Sequence, residues 1–416
     1  MRTRREGNGT KCYWFRPGEK IVIDDRPATA RSGINTQATV MSSIRPFRVD
    51  IPQAQLDDLG TRIRAARLPE RETVDDWDQG IPLAVVRDYA TYWADSYDWR
   101  KCEAALNACP QFLIELDGVD IHFLHIRSRH QGARPLIMTH GWPGSVLEFM
   151  EVIEPLTNPA DPADAFHLVI PSLPGFGFSG KPAQTGWDIA KIAGVWNDLM
   201  LALGYDRYFA QGGDWGSAVT LEIARQNLGA CAAVHSNMVL AKPDPSTMAD
   251  LSDLEKRAAA RMQYYQEKES GYSSIQRTRP QTIGYALADS AVGQMAWILE
   301  KFRNWSDCDD AFSGFSRDAL LDTITLYWLT NSAASSARLY WHSFANMGFD
   351  PVGVPMGGTI FPKELFQTSR RWAEKRFSNI IYWNEVDKGG HFAALEVPQI
   401  FVEEVRACFR NASLNA

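Results

Sequence analysis

Residues 211–217, with the sequence QGGDWGS, constrain the fold of this chain more than any other segment. They follow a short apolar stretch that is typical of a buried strand and precede a stretch that is typical of a helix. Gly212 and Gly216 bracket a turn so tight that a Cβ at either position is expected to collide with the neighbouring strand or helix. Such a turn forces the residue between the glycines outward, above the carboxyl edge of a parallel sheet. That residue is Asp214.

The carboxylate of Asp214 favours one kind of chemistry. A carboxylate is already ionised at neutral pH, so it attacks carbon without the help of a base, displaces a leaving group and becomes an ester. The alternative is an ordinary glycine-rich turn in which Asp214 only caps the following helix. The turn by itself does not separate these two hypotheses, and the other motifs of the chain are needed to choose between them.

The order of apolar segments predicts an α/β fold with a mostly parallel sheet. Strand-like segments at 121–126, 135–139 and 166–170 alternate with helical ones, as in βαβ units, until about residue 239. A long helical stretch rich in aromatic residues follows, and strand-like segments resume near residue 351. The predicted organisation is an N-terminal extension expected to be disordered (1–44), an N-terminal helical meander (45–115), the first part of the α/β core (116–238), an inserted α-helical lid (239–345) and the second part of the core (346–416).

Composition and charge exclude several classes of partner. The formal net charge of −7 argues against nucleic acid or an anionic membrane as the main partner. No apolar run has the length of a secretory signal or a membrane anchor, so a soluble, cytoplasmic protein is expected. The six cysteines are scattered without a C-x-x-C pair, and neither a metal nor a cofactor is predicted. The meander has too little core to fold alone, and it is expected to pack on the main domain, across the lid or in a homodimer contact.

Backbone amides near Asp214 are candidates for an oxyanion hole. The segment His140-Gly141-Trp142-Pro143 ends a predicted strand that precedes the Asp214 turn in the chain. The backbone N–H groups of Trp142 and of Trp215, which directly follows the nucleophile, are the proposed donors to a developing oxyanion. The His140 side chain is expected to anchor this turn and to take no part in catalysis.

A histidine and an acid late in the chain complete a predicted catalytic set. His391 follows the last predicted strand, and the preceding glycine pair frees its loop to reach over the Asp214 turn. Glu364 follows the penultimate strand, where an acid that orients the histidine belongs. Asp387 is the fallback for this acid, and Glu385 falls too near the end of a strand. The order nucleophile, acid, histidine favours function over a structural histidine.

Taken together, these motifs resemble those of epoxide hydrolases with an N-terminal meander, the microsomal and fungal branch of the α/β-hydrolase superfamily, in a soluble form. The resemblance spans about residues 44–410. The segments that carry it are FRVDIP (47–52), HGWPGS (140–145), GGDWG (212–216), QRTRPQT (276–282), FPKE (361–364) and GGHFAALE (389–396). It implies an α/β-hydrolase core and a pair of lid tyrosines that hold the epoxide oxygen. By position these are Tyr272 and Tyr340, although Tyr264, Tyr265, Tyr285 and Tyr327 also lie in the lid region.

The resemblance implies the hydrolysis of a small-molecule epoxide by water to a vicinal diol. Asp214 is expected to form an alkyl ester, which water activated by His391 and Glu364 then hydrolyses. The alternatives are a haloalkane dehalogenase, which would use Trp or Asn N–H donors instead of tyrosine hydroxyls, and a non-catalytic protein that binds a small ligand. A serine esterase is disfavoured because Ser217 lies three residues beyond the apex of the turn. The aromatic lid favours an apolar or aryl-substituted substrate.

Overall fold

A mixed sheet of nine strands forms the centre of the structure, a computed structural model that describes residues 43–308 and 312–414. Its order across the sheet is β1-β2-β3-β5-β4-β6-β7-β8-β9. The strands are β1 (Arg45–Phe47), β2 (Gln111–Leu116), β3 (Val119–Ile126), β4 (Arg134–Thr139), β5 (Phe166–Pro171), β6 (Tyr208–Gly212), β7 (Cys231–Ser236), β8 (Met356–Ile360) and β9 (Ile380–Glu385). Strands β1, β2, β3 and β5 pair antiparallel, whereas all pairs among β5, β4, β6, β7, β8 and β9 are parallel.

Helices cover both faces of this sheet and form a separate layer above its carboxyl edge. They are α1 (Gln53–Arg64), α2 (Leu83–Asp95), α3 (Trp99–Ala108), α4 (Ile153–Thr157), α5 (Ile189–Ala202), α6 (Asp214–Gln226), α7 (Asp253–Tyr264), α8 (Gly271–Thr278), α9 (Pro280–Asp289), α10 (Ala291–Trp305), α11 (Arg317–Leu329), α12 (Ala333–Ser343), α13 (Arg370–Ala373), α14 (Ala393–Glu396) and α15 (Pro398–Arg410). Short 3₁₀ turns lie at Val146–Phe149, Pro162–Asp164 and Pro245–Thr247, and a π-helical turn lies at Tyr265–Glu269.

The central strands owe their position to nearly continuous apolar sequence. Every residue of β6, β7 and β8 is buried, as expected for parallel strands that helices cover on both faces. We call α7 to α12, which lie between β7 and β8 in the chain, the lid helices. The predicted α/β-hydrolase fold with a mostly parallel sheet is confirmed. The predicted extension lies outside the described residues except at its last two positions, 43 and 44.

The helical meander contains one more helix than the sequence pattern predicted. Apolar and aromatic residues recur at helical spacing over about 82–107, which predicts a single helix, but the structure divides this segment into α2 and α3. Asp98 has extended backbone and its side chain accepts a hydrogen bond from the amide of Arg100, so it begins a new helix. The single-helix prediction was wrong because an internal N-cap interrupts an otherwise helical pattern of apolar residues.

The meander packs against one face of lid helix α11. The hydroxyl of Tyr92 donates to Asp318 at 2.7 Å, and the hydroxyl of Tyr97 donates to Asp322 at 2.6 Å. Residues four apart lie on the same face of a helix, so these bonds align α11 along the meander. Tyr327 of α11 in turn donates to the backbone oxygen of Gly144 at 2.9 Å. The meander therefore supports the loop that follows β4 through a lid helix.

The beginning of the lid is tied to the core by an ion pair in which the acid is buried. Glu255 of α7 accepts hydrogen bonds from Arg371, with Nε at 2.6 Å, and from Ser369 at 2.6 Å, both near α13. These hydrogen bonds, above all the one from Arg371, lower the pKa of Glu255 to about 2.

In the described part of the chain, none of the helices has the combination of length and apolar character needed to cross a membrane.

Candidate active site

The turn between β6 and α6 presents Asp214 at the carboxyl edge of the sheet. Asp214 has a positive φ of 50°, a strained conformation for a residue with a side chain. A Cβ at Gly212 would lie 2.1 Å from the backbone oxygen of Gly216, and one at Gly216 would lie 1.8 Å from that of Thr139. The predicted steric need for both glycines is confirmed. Close packing of the helix against two strands holds the strained turn in place.

The two oxygens of the Asp214 carboxylate have different surroundings. Oδ1 accepts a hydrogen bond from the backbone amide of Trp142 at 2.7 Å. Oδ2 lies 3.3 Å from Nε2 of His391. The amide of Trp215 belongs to the first turn of α6, where backbone N–H groups have no carbonyl acceptor within the helix. The carboxylate is therefore held by its Oδ1 side, and Oδ2 is the oxygen next to the imidazole.

The structure pairs His391 with Glu364 rather than with the other acids considered. Nδ1 of His391 lies 2.7 Å from Oε1 of Glu364, and the exposed fractions of the two side chains are only 2% and 1%. Asp387 and Glu385 are exposed. The pairing follows from the sheet, because Glu364 and His391 come after the adjacent parallel strands β8 and β9. Asp214, His391 and Glu364 thus form one continuous chain of contacts.

The charge state of His391 depends on its two acidic neighbours. Burial alone would disfavour the imidazolium, but the charges and hydrogen bonds of Glu364 and Asp214 outweigh it and raise the pKa of His391 well above its usual value. The negative charge of Asp214 therefore favours the imidazolium form of His391. Loss of that charge would lower the pKa of His391 and leave more of it in the neutral form that can accept a proton.

The loop that carries His391 is fastened to the end of lid helix α10. The amide of His391 donates to the backbone oxygen of Trp305 at 2.9 Å, and the amide of Gly389 donates to the Asp307 carboxylate at 2.9 Å. Glu396 accepts from the amides of Phe392 and Asp307. Gly389 has a positive φ of 109°, which favours glycine. Contacts with the lid therefore hold the loop in place, and its glycines allow the backbone to turn there.

Tyr272 and Tyr340 lie above the nucleophile, in contact with the tryptophans that flank it. Tyr272 stacks on Trp142 with ring centroids 5.0 Å apart, and Tyr340 meets Trp215 edge to face at 4.8 Å. The two tyrosine rings are 5.9 Å apart. The Tyr272 hydroxyl lies 3.3 Å from that of Tyr265, whereas the buried Tyr340 hydroxyl has no hydrogen-bond partner among the described residues.

Both tyrosine hydroxyls remain protonated over the physiological pH range. Burial raises the pKa of Tyr272 and of Tyr340 well above the usual value, and the negative charge of Asp214 acts in the same direction. Each phenol can therefore donate a hydrogen bond to an oxygen bound between them. Tyr265, which contacts Tyr272, lies on the π-helical turn, and such turns are frequent at functional sites. Tyr264 and Tyr285 are exposed at the surface.

A small cavity beside Asp214 involves two polar side chains that the sequence analysis did not identify. Its volume is about 20 Å³, and Asp214, His391, Glu148 and Asn237 are its polar side chains. Burial and the charge of Asp214 raise the pKa of Glu148 to about 8, although His391 opposes the shift. In the sequence, Glu148 follows Ser145 in an S-x-x-E pattern that is typical of a helix cap. This pattern explains the glutamate as a capping residue and does not predict a position beside the nucleophile.

His140 has the structural place that the sequence predicted. Its Nε2 accepts from the amide of Leu173 at 3.1 Å, and its Nδ1 lies 2.9 Å from the backbone oxygen of Gly141. Burial lowers its pKa to about 4, so it is neutral and joins the loops after β4 and β5. Within residues 43–308 and 312–414, no cluster of three or more His, Cys, Asp or Glu residues could hold a metal ion.

Comparisons with known proteins point to one enzyme class. Residues 44–149 match the epoxide hydrolase N terminus family, and residues 134–280 match the alpha/beta hydrolase fold family. A protein of Stigmatella aurantiaca, named provisionally as an epoxide hydrolase, is 51% identical over 88% of this chain and 85% of its own length. Epoxide hydrolase 1 of Sus scrofa is 32% identical over 96% of each chain. The structure of Aspergillus niger epoxide hydrolase aligns with a TM-score of 0.82 and 34% identity, covering 90% of this chain and 98% of that one.

Proposed function

Because this chain belongs to the epoxide hydrolases of the α/β-hydrolase fold, and is a hydrolase of that class, we propose that it converts an epoxide to a vicinal diol through a covalent ester on Asp214. One observation carries the proposal. The carboxylate of Asp214 lies between an amide donor and His391, and the tryptophans on either side of it contact Tyr272 and Tyr340. A nucleophile, a base and two hydroxyl donors therefore lie close together.

In the first step, Oδ2 of Asp214 attacks a ring carbon of the epoxide. Oδ1 is occupied by the amide of Trp142, which leaves Oδ2 as the reacting oxygen. The carbon–oxygen bond of the ring breaks as the new ester bond forms, and negative charge develops on the epoxide oxygen. Tyr272 and Tyr340 donate hydrogen bonds to that oxygen, and one of them transfers its proton to it. The product of this step is a hydroxyalkyl ester.

In the second step, water hydrolyses the ester. His391 takes a proton from water through Nε2 as the water oxygen bonds to the carboxyl carbon of Asp214. The amides of Trp142 and Trp215 hold the resulting oxyanion on Oδ1. The bond to the alkyl oxygen then breaks, that oxygen receives the proton from His391, and the diol leaves. The other water proton leaves the new carboxyl group and restores the tyrosine hydroxyl, so Asp214 is again a carboxylate, with one oxygen from water.

Formation of the ester also prepares His391 for the second step. The negative charge of Asp214 helps to keep the imidazole protonated in the free enzyme. Esterification removes that charge and the contact with Oδ2, so the pKa of His391 falls and its proton is lost more readily. The carboxylate of Glu364 behind the ring stabilises the imidazolium that forms when water is deprotonated. The base therefore becomes effective only after the nucleophile has reacted.

The lid tyrosines also distinguish this reaction from haloalkane dehalogenation. An alkoxide needs a proton donor, whereas a halide does not, and the free hydroxyl of Tyr340 offers one in a buried position. Trp142, Trp215 and Trp305 surround the two tyrosine rings, which favours an apolar or aryl-substituted epoxide. The homodimer and the cytoplasmic location remain predictions.

A single-turnover reaction with styrene oxide in heavy-oxygen water tests the covalent mechanism. We expect one heavy oxygen in the peptide that contains Asp214 after one turnover, because water attacks the carboxyl carbon. The Asp214→Asn protein serves as the control, since its side chain cannot form the ester at a comparable rate. Diol formed by the unaltered protein without label in that peptide would mean that water attacks the epoxide directly, and the mechanism would be wrong.

A further inference from the structure

The second half of the proposed reaction needs a water molecule in a defined place. Water must lie within reach of Nε2 of His391 and next to the carboxyl carbon of Asp214. Both residues line the cavity beside Asp214, so a water in that cavity lies next to each of them. Its volume of about 20 Å³ exceeds the 10–15 Å³ that one water molecule requires. A site of this size selects a single water and excludes the larger epoxide.

A buried water also needs two to four polar partners. Apart from Asp214 and His391, the polar side chains that line the cavity are Glu148 and Asn237, and the remaining lining residues are glycines or apolar and aromatic residues. Asn237 is oriented by Gln211, whose side-chain amide donates to its Oδ1 at 2.9 Å. A Cβ at Gly213 would lie 2.7 Å from Nδ2 of Asn237, so the side-chain amide lies against the Asp214 turn.

The Glu148 carboxyl lies in space that is open because residue 144 is a glycine. A Cβ at Gly144 would lie only 1.3 Å from Oε1 of Glu148, so the carboxyl occupies the space where a side chain at position 144 would begin. The 3₁₀ turn Val146–Phe149 directs Glu148 back towards this glycine. The loop after β4 therefore supplies both an oxyanion amide, from Trp142, and a carboxyl on the cavity wall. Surface packing alone does not explain a carboxyl in this position.

We propose that Glu148, together with Asn237, holds the hydrolytic water in this cavity and positions it for His391. The inference rests on the proposed function and deepens it. Glu148 forms a hydrogen bond with the water while Nε2 of His391 accepts a proton from it. The water oxygen then forms a covalent bond to the carboxyl carbon of Asp214. Glu148 itself neither gains nor loses a covalent bond. Its contribution is confined to ester hydrolysis, and alkylation of Asp214 does not require it.

The test separates the two half-reactions by rapid-quench mass measurement of the ester on Asp214 during single turnovers of styrene oxide. Glu148→Met has nearly the same volume but no strong hydrogen-bonding group. We expect it to slow ester hydrolysis on the order of 10- to 100-fold, because a misplaced reactant loses rate by about that factor, and to leave alkylation unchanged. The ester should therefore accumulate. Glu148→Gln retains an acceptor and a donor and should restore most of the hydrolysis rate.

Glu151→Gln is the matched control, since Glu151 is exposed on the same segment and should change neither step. If Glu148→Met is not obtained in folded form, Glu148→Asp serves, because it withdraws the carboxyl from the cavity by one methylene group. Equal ester hydrolysis in the variant and the unaltered protein would overturn the inference and leave the covalent mechanism intact. Equal slowing of both half-reactions would also overturn it, since a general structural role would then suffice. The absence of an ester in every protein would overturn the proposed function and this inference together.

Discussion

Replacement of Glu364 by glutamine isolates the contribution of a single buried charge. Oε1 of Glu364 contacts Nδ1 of His391 and also accepts from the amide of Leu365, while Oε2 has no hydrogen-bond partner among the described residues. A glutamine can place its oxygen at Oε1 and its amide group at Oε2. The orientation and tautomer of His391 are then retained, and only the negative charge behind the imidazole is lost.

The expected size of the effect follows from the charge separation. Two unit charges about 4 Å apart attract by about 4 kcal/mol at an effective dielectric constant of about 20. In ester hydrolysis this stabilisation takes effect as the neutral His391 of the ester intermediate becomes an imidazolium. If between half and all of the charge has developed in the transition state, the loss is about 2–4 kcal/mol. At about 1.4 kcal/mol per tenfold change, ester hydrolysis should slow roughly 30- to 1,000-fold.

Stopped-flow fluorescence during single turnovers can follow both steps, since Trp142 and Trp215 lie against the nucleophile. Alkylation should change by less than about tenfold, because His391 transfers no proton in that step. Asp387→Asn is the matched control, since Asp387 is the exposed acid of the same region and should leave both rates unchanged. If ester hydrolysis by the Glu364→Gln protein stays within a few-fold of the unaltered rate, the charge of Glu364 does not assist His391 and the reasoning fails.

Two further predictions concern the separate halves of the reaction. Tyr272→Phe and Tyr340→Phe should each slow alkylation about 100- to 1,000-fold, since each removes one donor to the epoxide oxygen. Ester hydrolysis should stay the same. Rapid-quench measurements in which hydrolysis is slowed instead of alkylation would contradict the proposed role of the two tyrosines. The ester hydrolysis rate should rise with pH through the pKa of His391 in the ester and then level off, because only the neutral imidazole accepts a proton. That pKa should lie below the one in the free protein, since esterification removes the charge of Asp214; a hydrolysis rate that falls with rising pH would be incompatible with His391 as the base.

The parts of the site that the sequence could predict are those that depend on local geometry or strand order. Gly212 and Gly216 are needed because the strand here turns directly into a helix, so their spacing around Asp214 predicted this turn. Glu364 and His391 follow neighbouring parallel strands, and the carboxyl ends of such strands meet at one edge of the sheet. Long-range pairing was therefore predictable from the order of strands, and the structure brings these side chains together as expected.

Other features could not be predicted because they depend on packing between distant segments. Asp98 divides a helical pattern in two, although apolar periodicity continues across it. Glu148 sits in a pattern typical of helix caps, and only its fit against Gly144 reveals that its carboxyl faces the nucleophile's cavity. Asn237 reaches the same cavity from the end of β7, a relation that no local pattern encodes.

The surroundings of Asp214 suggest that its two reactants, the epoxide and water, approach it from different sides. The lid tyrosines contact Trp142 and Trp215, whereas neither tyrosine is among the described residues that line the cavity with Glu148. In the proposed reaction, an epoxide bound under the lid reacts with Oδ2 of Asp214, and a water in the cavity reacts with its carboxyl carbon. Water held there is directed at the ester rather than at the epoxide ring. Separation of the two sites would thus favour the covalent route over direct hydration, and enlargement of the cavity should weaken that preference.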